Sequence, residues 1–351
     1  MFQKFIVLCS FWACESLGLT PAFSLEDPVV PSLQITQQEQ GWSCIQTGDN
    51  SSYISLVSPH LVGEDTLLFT EVFVHPDTTM NFHLDWHRLH AVRVLDAQPM
   101  FSKFVYYQDH PFQIESMFSW GNRSILFGFY QIKGEKIGDI PVRHYLVSVL
   151  DELGNVIQEK PLPTHCHPLG VHQEKNLFFC LAYEGALATR LLSYSLPDLQ
   201  PVEEKELEDR THYVNYAYKG GDWLYVMIQE GNSPSATIAK RNLFTSEIAW
   251  TQDIQAASGY PLFLNVQKEL LWYGVQESLP RMDGGALELD TGTPVLTSER
   301  YHPDRVIVES NGSYYKISLE KDPVSFAHKS FTVKPMPLQS CVLKNEWEKL
   351  D

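Results

Sequence analysis

One short phrase returns five times along this chain and limits what it can fold into. An apolar, strand-like run ends in Leu, a turn follows, and a second strand-like run begins. The phrase reads Val92–Leu95 before Asp96-Ala97, Tyr145–Leu150 before Asp151-Glu152-Leu153-Gly154, and Leu191–Leu196 before Pro197-Asp198. It returns at Ile238–Leu243 before Phe244-Thr245-Ser246, and at Ala286–Leu289 before Asp290-Thr291-Gly292. The closing Leu falls at 95, 150, 196, 243 and 289, so the intervals are about 55, 46, 47 and 46 residues. A period of that size built from strands is the mark of an all-β propeller, in which each four-stranded blade covers its faces only against its neighbours.

In a blade the strands run A to D from the central channel outward, and the phrase is strand C, its turn and strand D. B strands are then expected at Leu67–Val74, Ile125–Ile132, Leu177–Tyr183, Trp223–Gln229 and Leu270–Gln276. Each is a short apolar or aromatic run, as a strand covered on both faces must be. A strands fall near Tyr53–Val57, Gln113–Phe118, Pro168–His172, Tyr213–Tyr218 and Pro261–Val266. A sixth blade begins at Arg305–Glu309 and Tyr314–Leu319, with Ala327–Val333 as its C strand. Its D strand is missing at the C-terminal end, and Leu33–Gln46 supplies it, closing the ring. Six blades are expected, with seven as the alternative.

Several C–D units resemble the repeat of quinoprotein-like (PQQ-type) propellers. The clearest are Ile238–Trp250 and Ala286–Gly292, with a small residue, a Leu-Asp or Leu-Phe turn, Thr-Gly in the second, and Trp250 placed to dock between blades. The resemblance implies architecture. It implies no quinone chemistry, because the catalytic members use a vicinal Cys pair that this chain lacks.

The chain divides into an expected secretory signal (1–24), the propeller (25–340) and a short tail (341–351). Lys4, the apolar run Phe5–Cys14 and the small-x-small site Ala22-Phe23-Ser24 carry the signal reading, and a lipoprotein anchored at Cys14 fits less well because Trp12 is bulky. A secreted or periplasmic protein follows, with no membrane span in the mature chain. A net charge of −17 argues against nucleic acid as a partner. Four cysteines remain after the signal, Cys44, Cys166, Cys180 and Cys341. Three pairings exist. Adjacent antiparallel strands favour Cys166–Cys180, and joining the chain ends favours Cys44–Cys341; buried free thiols are the alternative.

The D-to-A and B-to-C links open on one face of a propeller, where ligands usually bind. The D-to-A links hold His110, His165, His167, His212 and His302, and the first B-to-C link adds His75, Asp77, His83 and Asp85. Imidazoles converging on a channel mouth suit a divalent metal. Ordinary loop histidines have the same sequence signature. His165 and His167 share a strand face and can chelate, whereas Cys166 points away. His87 and His90 fall on opposite faces and cannot share an ion. Trp120, Tyr216, Tyr218 and Trp272 lie on or beside inner strands, suited to packing between blades or to stacking on a sugar.

Two functions therefore remain. The first is an exported, non-catalytic propeller that binds a protein, peptide or glycan through one rim, with no cofactor. The second is a metal-assisted hydrolase, lactonase or lyase using the histidine face.

Overall fold

The computed structural model describes residues 33–336 apart from 47–51, 64, 74–84, 133–141, 163–164, 185–186, 207–212, 219–220, 230–234, 256–259, 268–269, 279–280, 296–304, 311–312 and 322–327. The expected signal, the tail and Cys341 lie outside the described residues. Every regular element described is a strand. No helix among the described residues is long and apolar enough to cross a membrane.

The chain opens with β1 (Leu33–Gln37) and β2 (Trp42–Gln46). Blade 1 is β3 (Ser52–Val62), β4 (Thr66–Phe73), β5 (Trp86–Arg93) and β6 (Pro99–Phe104). A hairpin follows, β7 (Tyr106–Tyr107) with β8 (His110–Pro111). Blade 2 is β9 (Gln113–Trp120), β10 (Arg123–Ile132), β11 (Val142–Leu150) and β12 (Val156–Pro161). Blade 3 is β13 (Cys166–His172), β14 (Leu177–Glu184), β15 (Leu187–Ser195) and β16 (Pro201–Glu206). Blade 4 is β17 (Tyr213–Tyr218), β18 (Trp223–Gln229), β19 (Ser235–Asn242) and β20 (Ile248–Gln255). Blade 5 is β21 (Tyr260–Gln267), β22 (Leu270–Ser278), β23 (Arg281–Glu288) and β24 (Pro294–Val295). Blade 6 is β25 (Arg305–Ser310), β26 (Ser313–Lys321) and β27 (His328–Met336).

The sheet order of blade 6 is β25-β26-β27-β2-β1, so the N-terminal chain supplies its outer strands. Six blades are present, and the alternative of seven is excluded. The sequence expectation of one donated strand becomes two, because Gln38 to Gly41 form a turn that folds Leu33–Gln46 into a hairpin. The inserted β7–β8 hairpin accounts for part of the long first interval.

Period-2 alternation explains why each blade needs both neighbours. In β10, Phe127 and Ile125 face blade 3, where they meet Phe178 and Cys180, while Leu126 faces blade 1 and meets Leu68 and Leu89. In β14, Phe179 and Leu181 face blade 4 and meet Leu224 and Val226. Tyr225 and Met227 then face blade 5 and meet Leu271 and Leu287. At the closure, Trp42 and Phe331 of blade 6 pack on Leu67 and Phe69 of blade 1. A B strand therefore reads as a continuous apolar run, since neither face meets water. Each large side chain buried this way contributes about 1.5–3 kcal/mol.

The recurring phrase is a turn with a left-handed residue. Ala97, Gly154, Leu199, Ser246 and Gly292 have φ of 59°, 72°, 52°, 63° and 69°. In four of the five, the amide of that residue bonds the carbonyl four residues back, at Arg93, Ser195, Asn242 and Glu288. Leu150, Leu196, Leu243 and Leu289 are buried just before it, but Leu95 is 68% exposed. The buried position of the first repeat is Val94. Its amide bonds the Asp65 carbonyl as the Leu243 amide bonds Asp222, so the repeat begins one residue earlier than its sequence suggests.

Inner strands carry a second repeated device. Extra residues bulge from β3, β9, β13, β17 and β21 at residues 56–59, Glu115, Leu169, Val214 and Leu262. Bulges bend and twist a strand and re-aim its side chains. Here they sit along the channel.

Cys166 and Cys180 are free thiols, so the buried-thiol alternative holds for that pair in place of the expected bridge, while the expected Cys44–Cys341 bridge involves a residue outside the described ones. Cys166 lies opposite Ala182 and Cys180 opposite Pro168, so the two are diagonal neighbours on one face. A diagonal pair stands farther apart than a directly opposed one, and these two meet as hydrogen-bonded thiols in the core between blades 2 and 3.

Candidate functional site

Blade 3 starts at the rim where the D-to-A links arrive. His165 is exposed just before β13, and His167 is half-buried two residues on, both on the face that Cys166 turns away from. Their ring centres are 5.1 Å apart, edge to face. Tyr183, at the end of β14, lies 5.0 Å from His167 and 5.7 Å from His165, and its amide bonds the His165 carbonyl. Tyr145 of β11 closes the group, 5.1 Å from His165.

The surroundings favour the neutral form of both imidazoles. Burial lowers the His165 pKa, and the Arg143 charge adds to it; burial and then His165 lower that of His167. Arg143 lies over the Phe129 ring at 4.5 Å. Glu115, the bulged residue of β9, is raised by burial with Arg143 opposing. Burial raises the Tyr145 phenol as well, so it stays a neutral donor. Neutral imidazoles beside phenols, one guanidinium and one carboxyl can stack on a ring, hydrogen-bond a polar group, or offer nitrogen lone pairs to an ion.

His110 is not part of this group. It stacks on Tyr130 at 5.8 Å, with Tyr107 at 4.8 Å and His144 at 5.2 Å from the same ring. Tyr130 belongs to the core facing blade 1 and Tyr145 to the core facing blade 3, so the sheet of blade 2 stands between His110 and His165. The structure thus brings together two of the five candidate metal ligands and separates a third. His212 and His302 lie outside the described residues, as do His75, Asp77 and His83. Among the described residues no group of three or more His, Cys, Asp or Glu is arranged to hold a metal.

His87 and His90 are structural, as their opposite faces imply. His87 Nδ1 accepts a hydrogen bond from the Ile114 amide at 3.1 Å, tying blade 1 to blade 2, and burial lowers its pKa to about 4. His90 is 3.3 Å from the buried Glu71 carboxylate and stacks on Phe69. The residues that sequence reading missed are the rim tyrosines, Tyr107, Tyr130, Tyr145 and Tyr183. Their signal was position: Tyr130 and Tyr183 sit near the ends of B strands, at the rim.

No protein-family model matches the chain, and no curated protein matches it. Its strand order defines a six-bladed β-propeller, and the similar solved structures include one described as a β-propeller. An oligogalacturonate lyase in complex with manganese is 9% identical over 88% of this chain and 97% of that one, with a TM-score of 0.47. The β-propeller domain of the Trilobed protease from Pyrococcus furiosus is 9% identical over 82% and 94%, at 0.42. The dihydro-heme d1 dehydrogenase NirN in complex with DHE is 11% identical over 71% of this chain, at 0.39, and this chain spans 50% of its length. Such likenesses carry nothing about activity, and the fold stands on its own strand order.

Proposed function

We propose that the chain is an exported β-propeller that binds a protein, peptide or glycan through the rim bearing the D-to-A and B-to-C links. The observation that carries this reading is the composition of that rim at blades 2 and 3. Tyr107, His110, His144, His167 and Tyr183 are each partly exposed there, beside exposed His165 and Arg143. Tyrosine and arginine are enriched in binding surfaces because a rigid apolar body carries a polar end. The signal-like N-terminus supports export, and Trp250, whose Nε1 bonds the Leu289 carbonyl of the next blade, supports kinship with the quinoprotein-type repeat. The test is a screen of immobilised glycans and peptides with the full chain and its Tyr183→Ala variant. A ligand held by the wild type and weakened about tenfold or more in the variant, on the hot-spot scale, supports the reading. Ligands held equally by both contradict it.

A second reading, metal-assisted hydrolysis or elimination, is favoured by one distance. Two imidazoles sharing a tetrahedral ion at bonds of about 2 Å hold their ring centres about 5 Å apart, and His165 and His167 are at 5.1 Å. Bound Zn or Mn at one per chain, lost in His167→Ala, supports it. A melting temperature and metal content unaffected by either ion or chelator contradict it.

A further inference from the structure

The opposite mouth of the channel holds a cavity of about 290 Å³. His172, at the far end of β13, is seven residues from His165, which is about 20 Å of extended chain, so the cavity is separate from the rim described above. Phe118, Leu169, Val171 and Tyr218, from three successive inner strands, form its walls. Gly170 lies between the rings with φ of 147°, and a Cβ there would stand 2.6 Å from Tyr218 Cδ1 and 3.8 Å from Phe118 Cδ1. Only glycine lets the two rings close in on the backbone in this way.

The polar groups around it are nearly all engaged with one another. His172 Nε2 and Lys175 Nζ lie 2.9 and 2.8 Å from Asp222 Oδ1. Gln173 donates to the Ser119 carbonyl and accepts from the Gly121 amide. The Tyr218 hydroxyl donates to the Gly221 carbonyl. Glu174 differs. It is exposed on the cavity lining, and its carboxylate has no hydrogen-bond or ion-pair partner among the described residues.

We propose that this cavity receives one arginine side chain from a basic segment of a partner protein. Aromatic rings attract a guanidinium and let it stack. A free carboxylate at the mouth can take it with two parallel hydrogen bonds. A net charge of −17 draws basic partners toward the surface. The volume lies at the small end of ligand sites. A sugar needs several free polar groups, whereas the described polar groups here are mostly engaged with one another; an apolar side chain would leave Glu174 without a partner. The proposal stands apart from the rim reading and does not rest on it.

The test is a titration of the full chain with N-acetyl-arginine amide, followed by NMR or calorimetry, with N-acetyl-lysine amide and N-acetylglucosamine alongside. Saturable binding of the arginine compound at roughly millimolar concentration is expected, several-fold tighter than the lysine compound. Glu174→Gln is expected to weaken it about tenfold and to melt at the wild-type temperature, since Glu174 is exposed and has no partner among the described residues. His167→Ala is expected to leave it unchanged. The proposal is overturned by no saturable binding, by equal binding to Glu174→Gln, by preference for the sugar, or by loss of binding in His167→Ala, which would put the arginine at the other rim.

Discussion

The Trp42 indole donates a 2.7 Å hydrogen bond from Nε1 to the carbonyl of Val94, a residue 52 positions along the chain. That bond joins the donated strand β2 of blade 6 to the C–D turn of blade 1. Trp250 repeats it inside the ring, from Nε1 to the Leu289 carbonyl at 3.1 Å, across the boundary of blades 4 and 5. The same docking device therefore serves an ordinary blade boundary and the boundary made from the two ends of the chain. Trp42→Ala removes a fully buried ring that also packs edge-on against Phe331. It should cost about 3–5 kcal/mol, read by urea unfolding. Trp42→Phe keeps most of the apolar bulk, loses the donor and leaves the Val94 carbonyl without it, at about 1–3 kcal/mol.

Trp250 also explains the glycine in its partner turn. A Cβ at Gly292 would meet the Trp250 ring at 2.6 Å, and φ there is +69°. Gly63 has a similar φ of +63° with nothing within 4 Å. Gly63→Ala should therefore cost about 1 kcal/mol, the left-handed penalty alone. Gly292→Ala should cost clearly more, because the ring must also move. Equal losses in thermal melts of the two variants would remove the docking account of Gly292.

His87 gives the fold a pH dependence with a defined sign. Burial holds its pKa at about 4 in the folded chain, against 6.5 for the free side chain. The unfolded chain therefore takes up a proton below pH 6.5 that the folded chain refuses. No cost exists above that pH; it grows as the pH falls toward 4, reaching up to about 3 kcal/mol. His90, His165 and His167 are also lowered, so they act in the same direction. His87→Gln should flatten the loss of stability between pH 6.5 and 4 by the share of one group. Denaturant midpoints across that range measure it, and an unchanged slope would show that His87 takes its proton while folded.

The thiols should be silent until the chain unfolds. Burial, reinforced by the Glu71 carboxylate, pushes the Cys44 thiol up to about 12, and the Cys166–Cys180 hydrogen bond and burial raise Cys180 well above its ordinary value. Thiolates are the reactive form. Iodoacetamide should leave Cys44, Cys166 and Cys180 unlabelled in the native protein and label all three in denaturant without reductant. Failure of Cys166 and Cys180 to label in denaturant until a reductant is added would restore the bridge.

The sequence announced the strands well and the edges of the repeat less well. β17 and β18 start and end where the sequence pattern places them, at Tyr213–Tyr218 and Trp223–Gln229, and in β18 the reason is that a strand covered on both faces leaves an unbroken apolar run from Trp223 to Ile228. Leu95 misled the register, since Val94 and Leu95 are both apolar and only packing shows which one is buried. Trp42 was missed as a docking residue because its blade is assembled from both chain ends, so no repeat phrase surrounds it. The rim was legible as a face but not as distances. Topology puts His110 and His165 on one side of the disc, and the blade between them appears only in three dimensions. The cavity at the other mouth had no sequence signal. Its residues lie in and beside A–B turns, and Glu174-Lys175-Asn176 reads as an ordinary polar turn.

Closure of the ring by the N-terminal chain underlies the whole fold, and one cross-link tests it. Ser43 of β2 is the register partner of Thr332 in β27. In a Ser43→Cys, Thr332→Cys chain, mild oxidation should join the two positions and shift mobility on a non-reducing gel, while Ser43→Cys with Ser330→Cys, which are not partners, should join poorly. Efficient linking of the first pair alone is the result expected of a blade 6 in which β2 pairs with β27. No linking of the first pair, or equal linking of both, would mean that β2 does not pair with β27 and that the ring closes some other way.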